Sequence, residues 1–197
     1  MIDSFSPNLL VIPGSPALVR ELSPGDVAGA RLLSSARAIA NAWDPTRAVE
    51  AVGSSDIRWR TALTGSFHAW GADVRVGHGH DLAELLARYV VGNVTSFRST
   101  LLPLNPAALT VVVLDGPAGL TDRAPLALLD DAPSCHEELK AVLSGGAVEL
   151  DEEELRHAGV IEPTLWLQLA SLSPRQAKLV ASDESLGVGR YVAAWEV

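Results

Sequence analysis

One carboxylate stands out for where it falls. Asp115 closes the run Leu109-Thr110-Val111-Val112-Val113-Leu114, six apolar or β-branched residues without alternation, and Gly116 follows it. Such a run reads as a strand buried on both faces, as in the middle of a parallel sheet. In open α/β sheets ligands bind where these strands empty into loops. Asp115 and Gly116 are therefore binding candidates, and Asp115 is a catalytic one. Its carboxylate either caps the next turn or faces a pocket. Ser54, Ser55 and Asp56 offer hydroxyls and a second carboxylate after another strand, with the same two readings. His68, set among Trp59, Phe67 and Trp70, is the other catalytic candidate; its plainer role is a packed or hydrogen-bonded ring. His78-Gly79-His80 spaces two imidazoles so that a strand would put them on one face, a metal pair in principle. No third ligand is obvious nearby, and the alternative is two solvated histidines in a turn. His136 and His157 fall on predicted helices beside charged neighbours, which points to solvent exposure. Cys135 follows Ser134 at a predicted helix start, a setting that can lower a thiol's pKa. His136, its chain neighbour, would point elsewhere on a helix, so Cys135 reads as inert. There is no Gly-x-Ser-x-Gly elbow, Walker loop or paired-cysteine metal motif. Gly187-Val188-Gly189 precedes a strand instead of opening a helix, so it is no dinucleotide loop.

These residues need elements to position them. Leu9-Leu10-Val11-Ile12 reads as a short buried strand, stopped by the rigid turn Pro13-Gly14-Ser15-Pro16. A helix is expected from about Asp26 to Trp43, with Ser23 as cap and Pro24 at the first helical position; Asp44-Pro45 ends it. Ala48 to Val52 reads as a strand closing at Gly53-Ser54-Ser55-Asp56. Asp73 to Val76 alternates, as an edge strand does. Asp81 and Glu84 have the spacing of a capping box, ahead of a helix that ends near Gly92. Residues 94 to 108 read as a weakly patterned connection. After the central strand, a second capping box, Ser134 to Glu137, opens a helix to about Ser144. Asp151 opens a short helix and Pro163 another. Ala177 to Ser182 and Val188 to Trp195 read as the last strands. Strands interleaved with helices predict an α/β fold, a central mostly parallel sheet flanked by helices, with residues 1–197 as one domain.

The totals narrow the classes. A chain of 197 residues with 48% hydrophobic and 20% charged residues has the make-up of an ordinary soluble globule. A formal charge of −9 argues against nucleic acid, because phosphate binding needs a basic face. The single cysteine rules out an internal disulfide and suits a reducing cytoplasm. The opening Met1-Ile2-Asp3-Ser4-Phe5 lacks the basic start and apolar stretch of a signal peptide. No apolar run approaches the ~20 residues that span a bilayer. A cytoplasmic protein without membrane or nucleic-acid partners is the expectation.

Several stretches, taken in order, resemble the class III extradiol dioxygenase subunit-B-like family, particularly its small bacterial members of unknown function. They are Val11-Ile12-Pro13-Gly14-Ser15-Pro16-Ala17-Leu18-Val19 with Glu21-Leu22, then Gly65-Ser66-Phe67 with Gly71 and Asp73-Val74. Asp115-Gly116, Arg123-Ala124-Pro125, Leu129-Asp130 and the tail Gly187-Val188-Gly189-Arg190-Tyr191-Val192-Ala193-Ala194-Trp195 complete the set. The resemblance implies the family's α/β architecture. The family's ring-cleaving members hold Fe(II) with two histidines and a carboxylate, leaving open positions for a catechol and oxygen. The first histidine belongs just after the first strand, where this chain has Pro13 or Gly14, depending on register. The second is expected after the second strand, at Gly53-Ser54-Ser55. The loop Asp115-Gly116-Pro117 also lacks histidine. Two readings follow. One is a non-catalytic small-molecule or protein-binding module without cofactor, its site built from Pro13, Gly14, Ser15, Ser54, Ser55, Asp115 and Gly116. The other is a metal-dependent oxidoreductase or hydrolase with a relocated site, Asp115 acting with His68 or His78 and with Fe(II) or Zn(II). Active members often share the substrate cleft with a partner subunit. Trp59 or Trp70 would accordingly mark a homo-oligomer contact if exposed, or core if not.

Overall fold

The computed structural model describes residues 5–197; the opening Met1 to Ser4, read above for a targeting signal, lies outside the described residues. β1 (Leu9–Ile12) and β4 (Leu109–Val113) are apolar on both faces and wholly buried, so they belong in the middle of a sheet. They pair in parallel with each other, and β4 pairs in parallel with β2 (Val49–Gly53). β3 (Ser96–Arg98) extends the parallel side beyond β2. On the far side of β1, β6 (Arg190–Glu196) and then β5 (Gln176–Asp183) add antiparallel strands. The result is a six-stranded mixed sheet of order β3-β2-β4-β1-β6-β5.

Strand alternation deals the side chains to two cores. Leu10 and Ile12 of β1 and Val111 and Val113 of β4 face α1 (Val27–Asn41) and α2 (Leu82–Val91). Leu9, Val11 and Val112 face α3 (Ala132–Leu143) and α5 (Pro163–Ala170), with Leu155 of α4 (Glu152–His157). Helices therefore cover both faces, as the α/β reading requires. No helix among the described residues is long and apolar enough to cross a membrane.

Several local expectations are corrected. The α1 cap is Asp26, whose Oδ1 accepts from the Gly29 amide at 2.8 Å, not Ser23. Neither capping box forms. The Asp81 side chain makes no cap bond, and Glu84 instead accepts from Arg88 at 2.8 Å, its i+4 partner. Ser134 lies inside the first turn of α3, which starts two residues earlier, and its hydroxyl donates to the Asp131 carbonyl. Asp73 to Val76 is not a strand of the sheet. It closes a loop on Gly65–Phe67, where the Phe67 and Val76 amides donate to the Val74 and Gly65 carbonyls, and only Ser66 and Arg75 form a bridge. β3, three residues at an edge, was too short to show a pattern within the expected connection.

Candidate functional site

Register sets the site. Ile12, Val113 and Gly53 lie side by side at the ends of β1, β4 and β2, so the three loops that follow leave the sheet together. Gly53 is required there, because a Cβ would collide with Ala83 in the first turn of α2. Outside these carboxyl ends lies a cavity of about 290 Å³. Gly14, Ser15 and Pro16 line it from the β1 loop, Ser54 from the β2 loop, and Asp115 and Gly116 from the β4 loop. Apolar wall comes from Leu82, Ala83 and Val188, with Trp59 and Glu162 half-buried and Pro125 and Ile161 exposed at the outside.

Asp115 is both a turn brace and a pocket group, so its two readings coincide. Its Oδ1 accepts from the Gly14 amide at 2.9 Å, tying the β4 loop to the β1 loop. Its carbonyl accepts from Trp166 Nε1 at 2.9 Å, which anchors the loop to α5. Oδ2 has no hydrogen-bond partner among the described residues, and the residue itself lines the cavity. Burial pushes the carboxyl up to about 7; the Gly14 amide and the charge of Arg190 pull the other way but do not cancel it. Arg190 offsets so little because it is already committed. Its guanidinium, 1% exposed, is held by Asp26 and Asp183.

Behind the loop sits a second buried group. His136 is 5% exposed, correcting the expectation of a solvated histidine. Its Nδ1 and the Tyr191 hydroxyl share a hydrogen bond of 2.6 Å, the two rings stacked. Nε2 is buried without a hydrogen bond, 3.6 Å from a Glu184 carboxylate oxygen. Burial holds the His136 pKa below its ordinary value. Tyr191 packs against Gly116 and Gly189, where a Cβ would run into the phenol. The Gly116 amide donates to the Gly189 carbonyl at 2.7 Å and the Gly189 amide to the Pro117 carbonyl at 2.9 Å. This pair of bonds fastens the Asp115 loop to the start of β6.

Of the seven binding candidates, five line the cavity; Pro13 is buried behind it and Ser55 is exposed outside it. His68 is exposed, neither packed nor in the cavity wall, and His78 is exposed in a turn. His80 spends both ring nitrogens on its own loop, at 3.0 Å from the Thr61 carbonyl and 3.3 Å from the Thr64 hydroxyl. His157 is exposed as expected. Cys135 is buried, and its thiol is pushed up to about 12 by burial and by Glu138 and Asp131, so it is inert. Trp59 and Trp70 are partly buried against the α1/α2 core. Trp59 and Glu162 were not anticipated in the wall. Trp59 lies in a stretch of irregular pattern, and Glu162 carries no signal beyond preceding the helix-opening Pro163.

The iron centre implied by the resemblance does not fit these residues. Pro13 and Gly14 offer no side-chain nitrogen, and the Gly14 amide is engaged with Asp115. Among the described residues no group of three or more histidine, cysteine, aspartate or glutamate side chains is placed to hold a metal ion. A scan against protein-family models finds no match for this chain, and a search of the curated proteins finds none either.

Proposed function

We propose that the chain is a small-molecule-binding module of dioxygenase-like architecture whose ligand lies at the Asp115 pocket, without a metal. The observation that carries this reading is the Gly14 amide bound to Asp115 Oδ1 across two strand-end loops. It joins the loops where the resemblance expects an iron ligand, and it leaves Oδ2 without a partner on a residue that lines a largely apolar cavity. A carboxyl in an apolar hollow is the sparse polar contact by which small-molecule sites orient a ligand. At about 290 Å³ the cavity is at the small end of ligand pockets, roughly 300–1,000 Å³, and suits a single ring with a short tail.

A second reading has one observation in its favour. A carboxyl poised near 7 matches a general acid–base catalyst at neutral pH, so an oxidoreductase or hydrolase using Asp115 is the alternative. His68 and His78 have no part in it, since neither borders the cavity.

The test is a thermal-shift screen of ring-sized fragments against the wild type and Val188→Trp, which fills the cavity from a half-buried wall position. The wild type should gain stability from a subset of fragments and the variant from none of them. Equal gains in both proteins would move the site away from Asp115. For the catalytic reading, turnover of any fragment should rise or fall through about pH 7 and vanish in Asp115→Asn.

A further inference from the structure

The polar groups of the cavity wall are of one sign. Asp115 and Glu162 are its charged residues, and no lysine, arginine or histidine lines it. The nearest cations are spoken for. Arg190 is enclosed by Asp26 and Asp183. Arg58, whose charge reaches Glu162, is exposed and held by Asp56 at 2.7 Å. The wall hydroxyls are neutral: Ser15 Oγ accepts from the Ala17 amide and Ser54 Oγ from the Asp56 amide, each keeping its O–H to donate. Trp59 is the single aromatic in the lining, and an indole face attracts a cation. Above about pH 7, where Asp115 is ionised, a ligand anion would meet two carboxylates with no counter-charge. A neutral hydroxyl would satisfy Asp115 Oδ2 but leave the negative field unused.

We infer that the pocket takes a primary or secondary ammonium carried on an apolar body of about one ring, the ammonium donating to Asp115 Oδ2 and the ring filling the hollow between Leu82, Ala83 and Val188. This rests on the reading of the cavity as a ligand site and names the class of its ligand. The apolar walls strengthen such a charge-assisted bond because little water competes for it. Binding couples to protons at both partners. Asp115 must ionise, so affinity rises through about pH 7. The ligand must stay protonated, so affinity falls again near about 10, the range of an alkylammonium. Besides its burial, the groups that set the first limb at Asp115 are the Gly14 amide and the Arg190 charge; Glu162 is the other titratable group of the cavity wall.

The experiment is calorimetric titration of the full chain at about pH 8, between those limits, with three isosteric probes: 2-phenylethylamine, 2-phenylethanol and phenylacetate. The amine should bind about tenfold or more tighter than the alcohol, the gain of one charge-assisted bond, and phenylacetate should give no binding heat. Asp115→Asn keeps an oxygen for the Gly14 amide, so it should fold; there the amine should fall to the alcohol's affinity while the alcohol is unchanged. An alcohol or carboxylate that binds as tightly as the amine overturns the ammonium assignment and leaves the pocket reading standing. An amine that binds Asp115→Asn undiminished overturns the assignment as well. Wild-type protein that binds none of the three overturns both.

Discussion

At the scale of single residues, Asp115 sets the chemistry, and its cost can be read from stability. Its carboxyl titrates near 7 in the folded chain against 3.8 in the unfolded one. Between those values the folded state holds the proton more often, so stability falls as pH rises from about 4 to 7 and levels off above. The penalty at alkaline pH is roughly 2–4 kcal/mol, the lower figure allowing for the carboxylate's contact with the cavity. Urea unfolding should show Asp115→Asn more stable than wild type at pH 8 by an amount of this order and equal to it near pH 4; a variant less stable at both would contradict it. This residue was legible in the sequence, because an unbroken apolar run ending in Asp-Gly fixes both a buried strand and a carboxylate at its end. His136 was not. A helix with charged neighbours looks solvated in one dimension, and its burial comes from Tyr191, 55 residues further along the chain.

At the scale of elements, the pocket depends on how closely the β4 loop is held to β6. Tyr191 lies under Gly116 and Gly189, and the reciprocal amide bonds of the loop need both glycines close to the phenol. Gly189→Ala should cost about 1–3 kcal/mol by overpacking. Tyr191→Phe removes the hydroxyl that is the nearest obstacle, so the alanine should cost measurably less in that background, a coupling that a double-mutant cycle reports. Strict additivity would show that the contact does not govern the loop. The elements themselves were legible where patterns were long. β1, β2, β4, β5 and β6 and α1, α2 and α5 lie close to where their apolar patterns put them, and α3 and α4 close to where cap-like spacings did. What failed was local: the Ser23 cap, the two capping boxes at Asp81 and Ser134, and the 73–76 edge strand, whereas Asp151 does cap α4, accepting from the Glu153 and Glu154 amides. Propensity places a capping residue within a turn or so, and tertiary partners such as Arg88 for Glu84 decide which bond is made.

At the scale of the whole molecule, the sheet order explains why three distant loops share one cavity. β4 is inserted between β1 and β2, so the loops after residues 12, 53 and 113 emerge side by side. Five of the seven residues named from strand ends line that cavity. Two further wall residues, Trp59 and Glu162, come from short segments whose approach is fixed only by packing. The absence of side-chain nitrogen at Pro13 and Gly14 was equally visible in the sequence. On the proposed reading Asp115 is a half-buried carboxyl that meets its ligand directly, without a metal between them. Carbon-13 NMR of the Asp115 side-chain carboxyl, followed across pH with and without stoichiometric Zn(II), measures this directly. The account predicts a midpoint near 7 that Zn(II) leaves in place. A midpoint near the ordinary 3.8, or one displaced by an equivalent of Zn(II), would contradict it.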